Sequence, residues 1–315
     1  MPDYSEFHDE LRSVAGDLLA KDRDVAWPVL VDAGWVGLEV PEELGGAGAT
    51  FAETAVVCEE IGRAASANSY LGSAVLAAGT LNILQPNETR DRLLSDVASG
   101  SVRVAVALES DFVPDAEGTE RVLVVTDDGV AVTTPTVTAQ PVLDETRRLG
   151  TVSAADAADV LPFEGDPTTA IRRLRNRAAV AVACDSLGVS EAMLAATVGY
   201  AKVREQFGRP IGSFQAVKHA CADMLVDISV SRQLVGAAVQ AIVDDQPDAD
   251  VAAAMAKSHA CAKAVDIVGK AMQLHGGIGY TWESGIHVYL KRAALNRSLF
   301  GSPAAHRKHL AQRYL

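Results

Sequence analysis

Apolar positions in the first hundred residues recur at helical spacing. After the glycine-rich stretch PEELGGAGAT (41–50), apolar residues at positions 51, 55, 56, 58, 61 and 64 mark one face of a helix. A second helical stretch is predicted over 70–84, and Pro86-Asn87 ends it. Residues 1–100 are therefore expected to form a helical N-terminal domain in which 41–50 is a loop.

Residues 101–163 carry a different pattern, rich in Val and Thr. The segments VRVAVALES, RVLVVTDDGVAVTTPTV and RLGTVSA have the composition of strands. Asp127-Asp128-Gly129 lies between two valine runs, which is typical of a β-hairpin. This region is predicted to be a small β insert of three to five strands.

Residues 164–315 return to helical periodicity. One helix is predicted over 168–205, and a second follows Gly212. A third ends at the GGIG turn that begins at Gly276, a shorter one covers 283–299, and a fifth follows Pro303. Long helices with short connections predict an up-and-down bundle.

The composition narrows the classes of function. The 315-residue chain has a net charge of -13 and a pI near 5.0, so it would repel a phosphate backbone, and nucleic-acid binding is not expected. The polar N-terminus has no secretory core, and no apolar run is judged long enough to span a membrane. We therefore expect a cytoplasmic protein. Its four cysteines form no CxxC pair and are expected to be buried, reduced thiols.

Two glycine-marked motifs in the C-terminal half could bind a ligand. In REQFGRPIGSFQ (204–215), Arg204 offers a fork of donors suited to a pyrophosphate, and two glycines permit a tight turn. In QLHGGIGYTWE (273–283), three glycines in four positions permit close approach of a flat or anionic ligand. Taken alone, each motif is better explained by local structure. The first fits a plain helix-turn-helix connection, and the second fits a glycine-rich helix end.

In this order and at this separation, the two motifs resemble those of the acyl-CoA dehydrogenase family. GWVGLEVPEELGGAG (34–48) and CEEIGR (58–63) resemble the family's N-terminal helical domain. The resemblance implies a mainly α fold: an N-terminal helical domain (1–100), a shortened β middle domain (101–163) and a C-terminal up-and-down four-helix bundle (164–315). It also implies FAD and the α,β-dehydrogenation of an acyl-CoA thioester, with electrons passed to an electron-transfer protein.

By the same resemblance, six residues of this chain match family residues that bind the adenosine diphosphate half of FAD. They are Arg204, Phe207, Gln215, Gln273, Gly276 and Gly277. In the family such residues act largely in trans on a neighbouring subunit's flavin, so the FAD would be shared at a subunit interface. The groups that would hold the isoalloxazine ring in cis are not visible in the contracted β region.

The family's catalytic base is a glutamate at one of two places, and neither place carries one here. Counted from the GGIG turn, the usual glutamate falls at Phe300; counted back from Arg204, the alternative falls at Ala178. Neither side chain can accept a proton. Asp185 is the nearest carboxylate, but it lies two helical turns, or about 10 Å, beyond Ala178. Proton abstraction needs hydrogen-bond reach, so a structural hydrogen bond is expected of Asp185.

These losses favour a heteromer. A longer acyl-CoA dehydrogenase subunit would supply the base, the acyl-CoA pocket and the isoalloxazine contacts, in an α2β2 assembly. HVYLKRA (287–293) and FGSPAAHR (300–307) resemble short subunits of actinobacterial enzymes that act on steroid-derived CoA thioesters. Two alternatives stay open. One is a self-sufficient homo-oligomer whose base is Asp185 or a rearranged Glu283; the other is a pseudoenzyme that binds a CoA ester or a protein without redox chemistry.

Overall fold

The fold has helices at both ends of the chain and small sheets between them. The computed structural model describes residues 5–134, 136–153 and 159–312. Helices of the N-terminal part are α1 (Ser5–Leu19), α2 (Trp27–Asp32), α3 (Phe51–Ala64), α4 (Ala77–Leu81) and α5 (Glu88–Ala98). The predicted helix over 51–64 and the helical character of the first hundred residues are confirmed.

Helix α3 begins at a capping box. Thr50 Oγ1 accepts a hydrogen bond from the Ala52 N–H at 3.1 Å, and the Glu53 carboxylate accepts one from the Thr50 N–H at 2.8 Å. The preceding stretch is the predicted loop, with a short 3-10 turn at Glu42–Leu44. Two backbone donors are thus satisfied at the point where the chain leaves the loop.

The stretch predicted as a helix over 70–84 is not a regular α-helix. Leu71–Leu76 is a buried π-helix that continues into α4, and the helix ends at Leu81. The Asp115 carboxylate accepts a hydrogen bond from the Gly72 N–H at 2.7 Å. A Cβ at Gly72 would lie 2.4 Å from the Pro114 carbonyl oxygen. The β region therefore packs directly on this backbone and shapes its first turns.

The described part of 101–163 forms seven short strands in two sheets, where three to five strands were predicted. The strands are β1 (Val104–Ala107), β2 (Val113–Pro114), β3 (Arg121–Thr126), β4 (Gly129–Thr133), β5 (Thr136–Gln140), β6 (Leu149–Ser153) and β7 (Val160–Leu161). Their orders are β1-β3-β4-β7 and β2-β6-β5. Strand β1 pairs with β3 in parallel, and the other pairs are antiparallel.

The predicted hairpin is confirmed, whereas the strand number was wrong. Strands β3 and β4 meet at the pair Thr126↔Gly129, so Asp127-Asp128 forms the turn. The two strands beyond the predicted five are β2 and β7, each two residues long. They pair with strands that are distant in sequence, as Pro114↔Leu149 shows, and a segment this short carries no alternation that could predict it.

The C-terminal part is the predicted up-and-down helical bundle. Its elements are α6 (Pro167–Val203), the hairpin β8 (Glu205–Gln206) and β9 (Arg209–Pro210), α7 (Gln215–Val243), α8 (Ala249–His275), α9 (Ile286–Ser298) and α10 (Pro303–Gln312). The helix predicted over 168–205 is confirmed. The helix predicted from 283 begins only at Ile286, because Trp282–Ser284 forms a 3-10 turn that ends at Gly285 with φ 66°.

Helices α3 and α6 cross in backbone contact. A Cβ at Gly62 would lie 2.0 Å from the Asp185 carbonyl oxygen, and one at Gly188 would lie 1.9 Å from the Glu59 carbonyl oxygen. Both positions therefore require glycine. The largest apolar cluster contains buried residues of α1, α3, α6, α7, α8 and α9, so the N-terminal helices and the bundle share one core.

Two helices correct the expectation that no apolar run could span a membrane. By length and composition, α6 and α7 both contain a window apolar enough to cross one. The window of α6 is 78% buried within the fold, as in a core helix, and that of α7 is 28% buried. Length and composition alone are weak evidence for a membrane span, because core helices meet the same criterion.

The cysteines are largely as expected. All four are free thiols, and Cys58, Cys184 and Cys261 are buried, whereas Cys221 on α7 is only half-buried. Burial raises the pKa of Cys58 to about 12 and raises that of Cys184 well above its usual value. Thiols with raised pKa values are poor nucleophiles at neutral pH, which fits a packing role.

Candidate functional site at the end of the helical bundle

The hairpin that follows α6 displays an aromatic ring on a strained turn. Phe207 and Gly208 both have positive φ angles, 55° and 73°, between the paired residues Gln206 and Arg209. A two-residue turn of this kind favours glycine or asparagine, so phenylalanine at its first position is strained. The ring is 91% exposed. Backbone strain combined with an exposed aromatic ring is typical of a functional position.

The GGIG turn presents open backbone. Helix α8 ends at His275, and Gly276 follows with φ 64°. A Cβ at Gly276 or Gly277 would meet no atom within 4 Å, so a ligand can approach this backbone closely. Gln273, in the last turn of α8, is exposed.

Both motifs lie at the same end of the bundle. The Tyr200 ring stacks on the His275 ring with centroids 4.5 Å apart, which joins the last turn of α6 to the last turn of α8. Arg204 caps α6 and Gln215 opens α7 at this end. All six residues assigned to FAD by the resemblance are exposed, so they form a surface rather than a closed pocket.

The two positions expected for a catalytic glutamate lie elsewhere in the fold. Ala178 is fully buried in the cluster shared by the first sheet, α4, α5 and α6. Phe300 follows α9 with φ 55°, and its ring packs against that cluster and against the largest one. Phe300 also lines a cavity of about 880 Å³ between the first sheet and the bundle. Neither position offers a titratable group to this cavity.

Asp185 lies at the centre of a buried ionic network. Its Oδ1 accepts hydrogen bonds from Arg292 Nε at 2.9 Å and Asn296 Nδ2 at 2.6 Å. Its Oδ2 accepts from Arg292 Nη2 at 2.6 Å and from Arg147 Nη2 at 3.0 Å. Burial alone would raise the pKa of Asp185, but Arg292 and Arg147 together with these hydrogen bonds hold it below its usual value. A carboxylate with a lowered pKa and occupied lone pairs is a poor proton acceptor.

Arg292 extends the network to the other parts of the fold. Its Nη1 donates to the Ser66 carbonyl oxygen at 2.9 Å and to Thr146 Oγ1 at 2.7 Å. The ion pair therefore ties α6 and α9 to the loop after α3 and to the loop before β6. Arginine suits this role because its fork of five donors can serve several acceptors at once.

Lys257 is a buried charge that the sequence analysis missed. Its Nζ donates to the carbonyl oxygens of Asn296 at 2.9 Å, Arg297 at 3.3 Å and Gly301 at 2.8 Å. Burial lowers the pKa of this ammonium group. A signal was present in the sequence, because Lys257 falls on the alanine-rich stripe of α8 that includes Ala253, a buried position.

Comparison with known proteins places this architecture in a family. Residues 6–101 match the family model for the acyl-CoA dehydrogenase N-terminal domain, and residues 168–315 match that for the C-terminal domain. Acyl-CoA dehydrogenase IpdE2 of Mycobacterium tuberculosis is 36% identical over 291 residues, which cover 90% of this chain and 86% of that protein. The chain belongs to the acyl-CoA dehydrogenase family. The two matched segments flank the β region of this acyl-CoA dehydrogenase-family protein.

Solved structures show the same fold over the whole length. A variant of the Tcur3481-Tcur3483 steroid ACAD superposes with a TM-score of 0.87 at 25% identity and covers 98% of both chains. The ChsE4-ChsE5 complex from Mycobacterium tuberculosis superposes with a TM-score of 0.86 at 23% identity and covers 99% of both chains. The expected fold, a helical N-terminal part, a small β region and a helical bundle, is thus confirmed for this acyl-CoA dehydrogenase-family chain.

Proposed function

We propose that this chain is the short subunit of a heteromeric, FAD-dependent acyl-CoA dehydrogenase and that a longer subunit carries the catalytic glutamate. One observation supports this most directly. Phe300 and Ala178 occupy both places where the family keeps its base, whereas Arg204, Phe207 and Gln273 remain exposed at one end of the bundle. A chain that kept its ligand-binding surface and lost its proton acceptor is suited to assist a partner's active site.

The exposed end fits the adenosine and pyrophosphate half of FAD. The Arg204 side chain makes no hydrogen bond with the described residues, so its donors are free for a pyrophosphate. The open backbone at Gly276 and Gly277 would let the cofactor approach closely. Gln215 and Gln273 would add amide hydrogen bonds, and Phe207 would pack on the cofactor. When bound at the subunit interface, FAD supplies the hydride acceptor of the reaction.

The proposed reaction uses groups of both subunits. In the acyl-CoA thioester a Cα–H and a Cβ–H bond would break and a Cα=Cβ bond would form. The partner's glutamate would accept the proton, and bound FAD would supply the acceptor for the hydride and pass the electrons to an electron-transfer protein. The residues of this chain bind and orient the cofactor, and its helices form half of the interface in an α2β2 assembly.

A self-sufficient enzyme is the weaker alternative. Asp185 would have to release Arg292 to act as a base, at the cost of leaving a buried guanidinium unpaired. Glu283 lies on an exposed 3-10 turn and does not line the cavity beside Phe300. Neither carboxylate is placed to reach a substrate seated there.

The proposed substrate is a bulky, steroid-derived acyl-CoA, and the proposed location is the cytoplasm. The substrate is supported by the likeness to a solved steroid ACAD, and the heteromer by the likeness to a solved two-protein complex. The partner's pocket would select the acyl group, because the partner would carry the catalytic glutamate. In this chain the two positions expected for that glutamate hold the apolar residues Phe300 and Ala178.

Purification of this chain alone, and together with a longer acyl-CoA dehydrogenase subunit that retains the catalytic glutamate, tests the proposal; the neighbouring genes are the first place to look for such a subunit. The expected result is a flavin-free, inactive chain when alone and a yellow, active complex with both subunits. A yellow and fully active preparation of the chain alone would overturn the proposal in favour of the self-sufficient enzyme. A complex that stays flavin-free and inactive with an acyl-CoA and an electron acceptor would instead support the pseudoenzyme.

A further inference from the structure

A small cavity lies beside the buried pair of Asp185 and Arg147, and none of the six residues assigned to FAD lines it. Its volume is about 10 Å³. That volume is at the lower end of the range of about 10–15 Å³ that one water molecule needs, and it is far too small for an organic ligand. Three of its lining residues are apolar: Ile61, Leu71 and Ala181. The other five are polar: Cys58, Asn68, Tyr70, Arg147 and Asp185. A purely apolar cavity of this size would stay dry, but a polar one is suited to a hydrogen-bonding occupant.

Arg147 brings a donor without a protein partner to this cavity. Its side chain is only 8% exposed. Nη2 donates to Asp185 Oδ2 at 3.0 Å, whereas the buried Nε makes no hydrogen bond within the part of the chain that the structure describes. A buried N–H group that loses its hydration without gaining an acceptor is costly, and more so on a charged side chain. The Nε–H group therefore requires an acceptor that the described residues do not provide.

The charges of the lining disfavour a bound ion. Arg147 and Asp185 carry opposite charges and pair with each other, so their attractions for an anion or a cation placed beside them largely cancel. Cys58 and Tyr70 add no charge at neutral pH. Burial raises the pKa of the Cys58 thiol to about 12 and that of the Tyr70 hydroxyl well above its usual value. The lining therefore suits a small, neutral occupant.

The lining also offers acceptors for the hydrogens of such an occupant. Asn68 Oδ1 accepts a hydrogen bond from the Tyr70 N–H at 3.0 Å and keeps a second lone pair. The Asp185 carboxylate is the other acceptor on the lining. One donor and two acceptors match the three hydrogen bonds that a buried water molecule typically makes.

We propose that this cavity is a binding site for one structural water molecule, which accepts a hydrogen bond from Arg147 Nε and donates to Asn68 and Asp185. The water joins the loop before β6, the segment after α3 and helix α6. It supplies the acceptor that the Arg147 guanidinium lacks and so completes the ionic network around Asp185. The site needs neither the proposed FAD surface nor a partner subunit, so it can fail without the proposed function, and the proposed function can fail without it.

A high-resolution crystal structure of the full chain tests the site directly. The expected result is one ordered water oxygen at about 2.7–3.2 Å from Arg147 Nε, with Asn68 and Asp185 within hydrogen-bond distance of the same oxygen. Three results would each overturn the proposal: no electron density in the cavity, an ion in place of the water, or a direct hydrogen bond from Arg147 Nε to a protein atom.

Oxygen-17 relaxation dispersion counts the long-lived water molecules of the chain in solution. Arg147→Lys keeps the charge that pairs with Asp185 but removes Nε, so this variant should hold one long-lived water fewer than the original chain. Arg148→Lys is the matched control, because Arg148 is exposed and does not line the cavity, and its count should be unchanged.

Cys58→Met provides a second variant, in case Arg147→Lys does not fold. Its longer apolar side chain fills the cavity and should also remove one long-lived water. Circular dichroism confirms the fold of each variant before the count. A count that stays unchanged when the folded variants are compared with the original chain would contradict the proposal.

Discussion

Arg292 on α9 donates hydrogen bonds to both carboxylate oxygens of Asp185 on α6, from Nε to Oδ1 at 2.9 Å and from Nη2 to Oδ2 at 2.6 Å. The two residues are 107 positions apart, and both are almost completely buried. A buried pair with this geometry fixes the relative position of two helices. Removing one partner leaves the other charge without compensation in an apolar interior.

Asp185→Asn should therefore destabilise the chain strongly. Asparagine keeps the volume but removes the charge that balances Arg292 and Arg147, and we expect the free energy of unfolding to fall by about 3–5 kcal/mol. Urea unfolding followed by circular dichroism measures it. Asp245→Asn is the control, because its pair with Arg173 is on the surface and should change stability by less than about 1 kcal/mol. Equal stabilities of the two variants would contradict the structural role.

The same variant separates the structural role of Asp185 from a catalytic one. In the complex with a longer subunit, turnover per folded complex should be the same with Asp185→Asn as with the original chain. A variant that keeps its flavin and its fold but loses turnover would instead identify Asp185 as the base.

Asp115 should make stability fall as pH rises. Burial raises its pKa from 3.8 to about 6, even though the Gly72 N–H donates to it. Between pH 4 and 6 the unfolded chain releases this proton while the folded chain keeps it, so stability is lost with rising pH across that window. At about 1.4 kcal/mol per pKa unit, the two-unit shift amounts to about 3 kcal/mol above pH 6.

Asp115→Asn tests this linkage. The amide oxygen can still accept from Gly72, and the group no longer ionises. Stability at pH 7.5 should rise by up to about 3 kcal/mol, and the gain should vanish below pH 4, where the original carboxyl is protonated in both states. Urea unfolding across pH 3.5–7.5 measures the difference. A gain that is independent of pH would show that ionisation of Asp115 is not its cause.

Lys257→Met should loosen the turn that contains Phe300. Three carbonyl oxygens lose their donor, and we expect a net loss of about 2–4 kcal/mol in the free energy of unfolding. The pKa of His306 should rise, because the positive charge of Lys257 lowers it in the original chain. Lys263→Met is the control, because Lys263 lies on the same helix but pairs with Asp227 at the surface. It should change neither the turn's stability nor the pKa of His306. NMR titration of His306 measures its pKa. An unchanged pKa in Lys257→Met would argue against an electrostatic effect of Lys257 on His306.

Phe207→Gly should separate stability from cofactor binding. Glycine relieves the strain at φ 55°, and an exposed ring adds little to the core, so stability should stay the same or rise by up to about 1 kcal/mol. Flavin content of the complex should fall, since Phe207 belongs to the proposed FAD surface. Leu143→Ala removes a similarly exposed apolar side chain from the β region and should leave the flavin content unchanged. Full flavin occupancy with Phe207→Gly would remove this residue from the proposed site.

Helix ends were predictable from local patterns where the start and stop signals were strong. Helix α6 was predicted over 168–205 and is observed at Pro167–Val203, because Asp166 and Pro167 give a strong start signal and the glycine-containing turn a strong stop. The hairpin was predictable as well, because the turn residues Asp127-Asp128-Gly129 lie between two valine runs. By contrast, β2 and β7 were missed because only pairing with distant segments makes them strands.

The sequence by itself determined the family, the helical and β regions, and the presence of Phe300 and Ala178 at the two positions where the resemblance expects a glutamate, because these depend on residue identity and spacing along the chain. Tertiary structure alone decided the roles of the buried charges. It placed Arg292 against Asp185, Lys257 beneath the Phe300 turn, and Asp115 at the π-helix. Arg292 and Lys257 are tolerated in the interior only where partners from other parts of the chain meet them, since an unpaired buried charge is too costly to persist. At Asp115 burial outweighs the partners and raises the pKa of the carboxyl group. No pattern within one segment can show such a meeting.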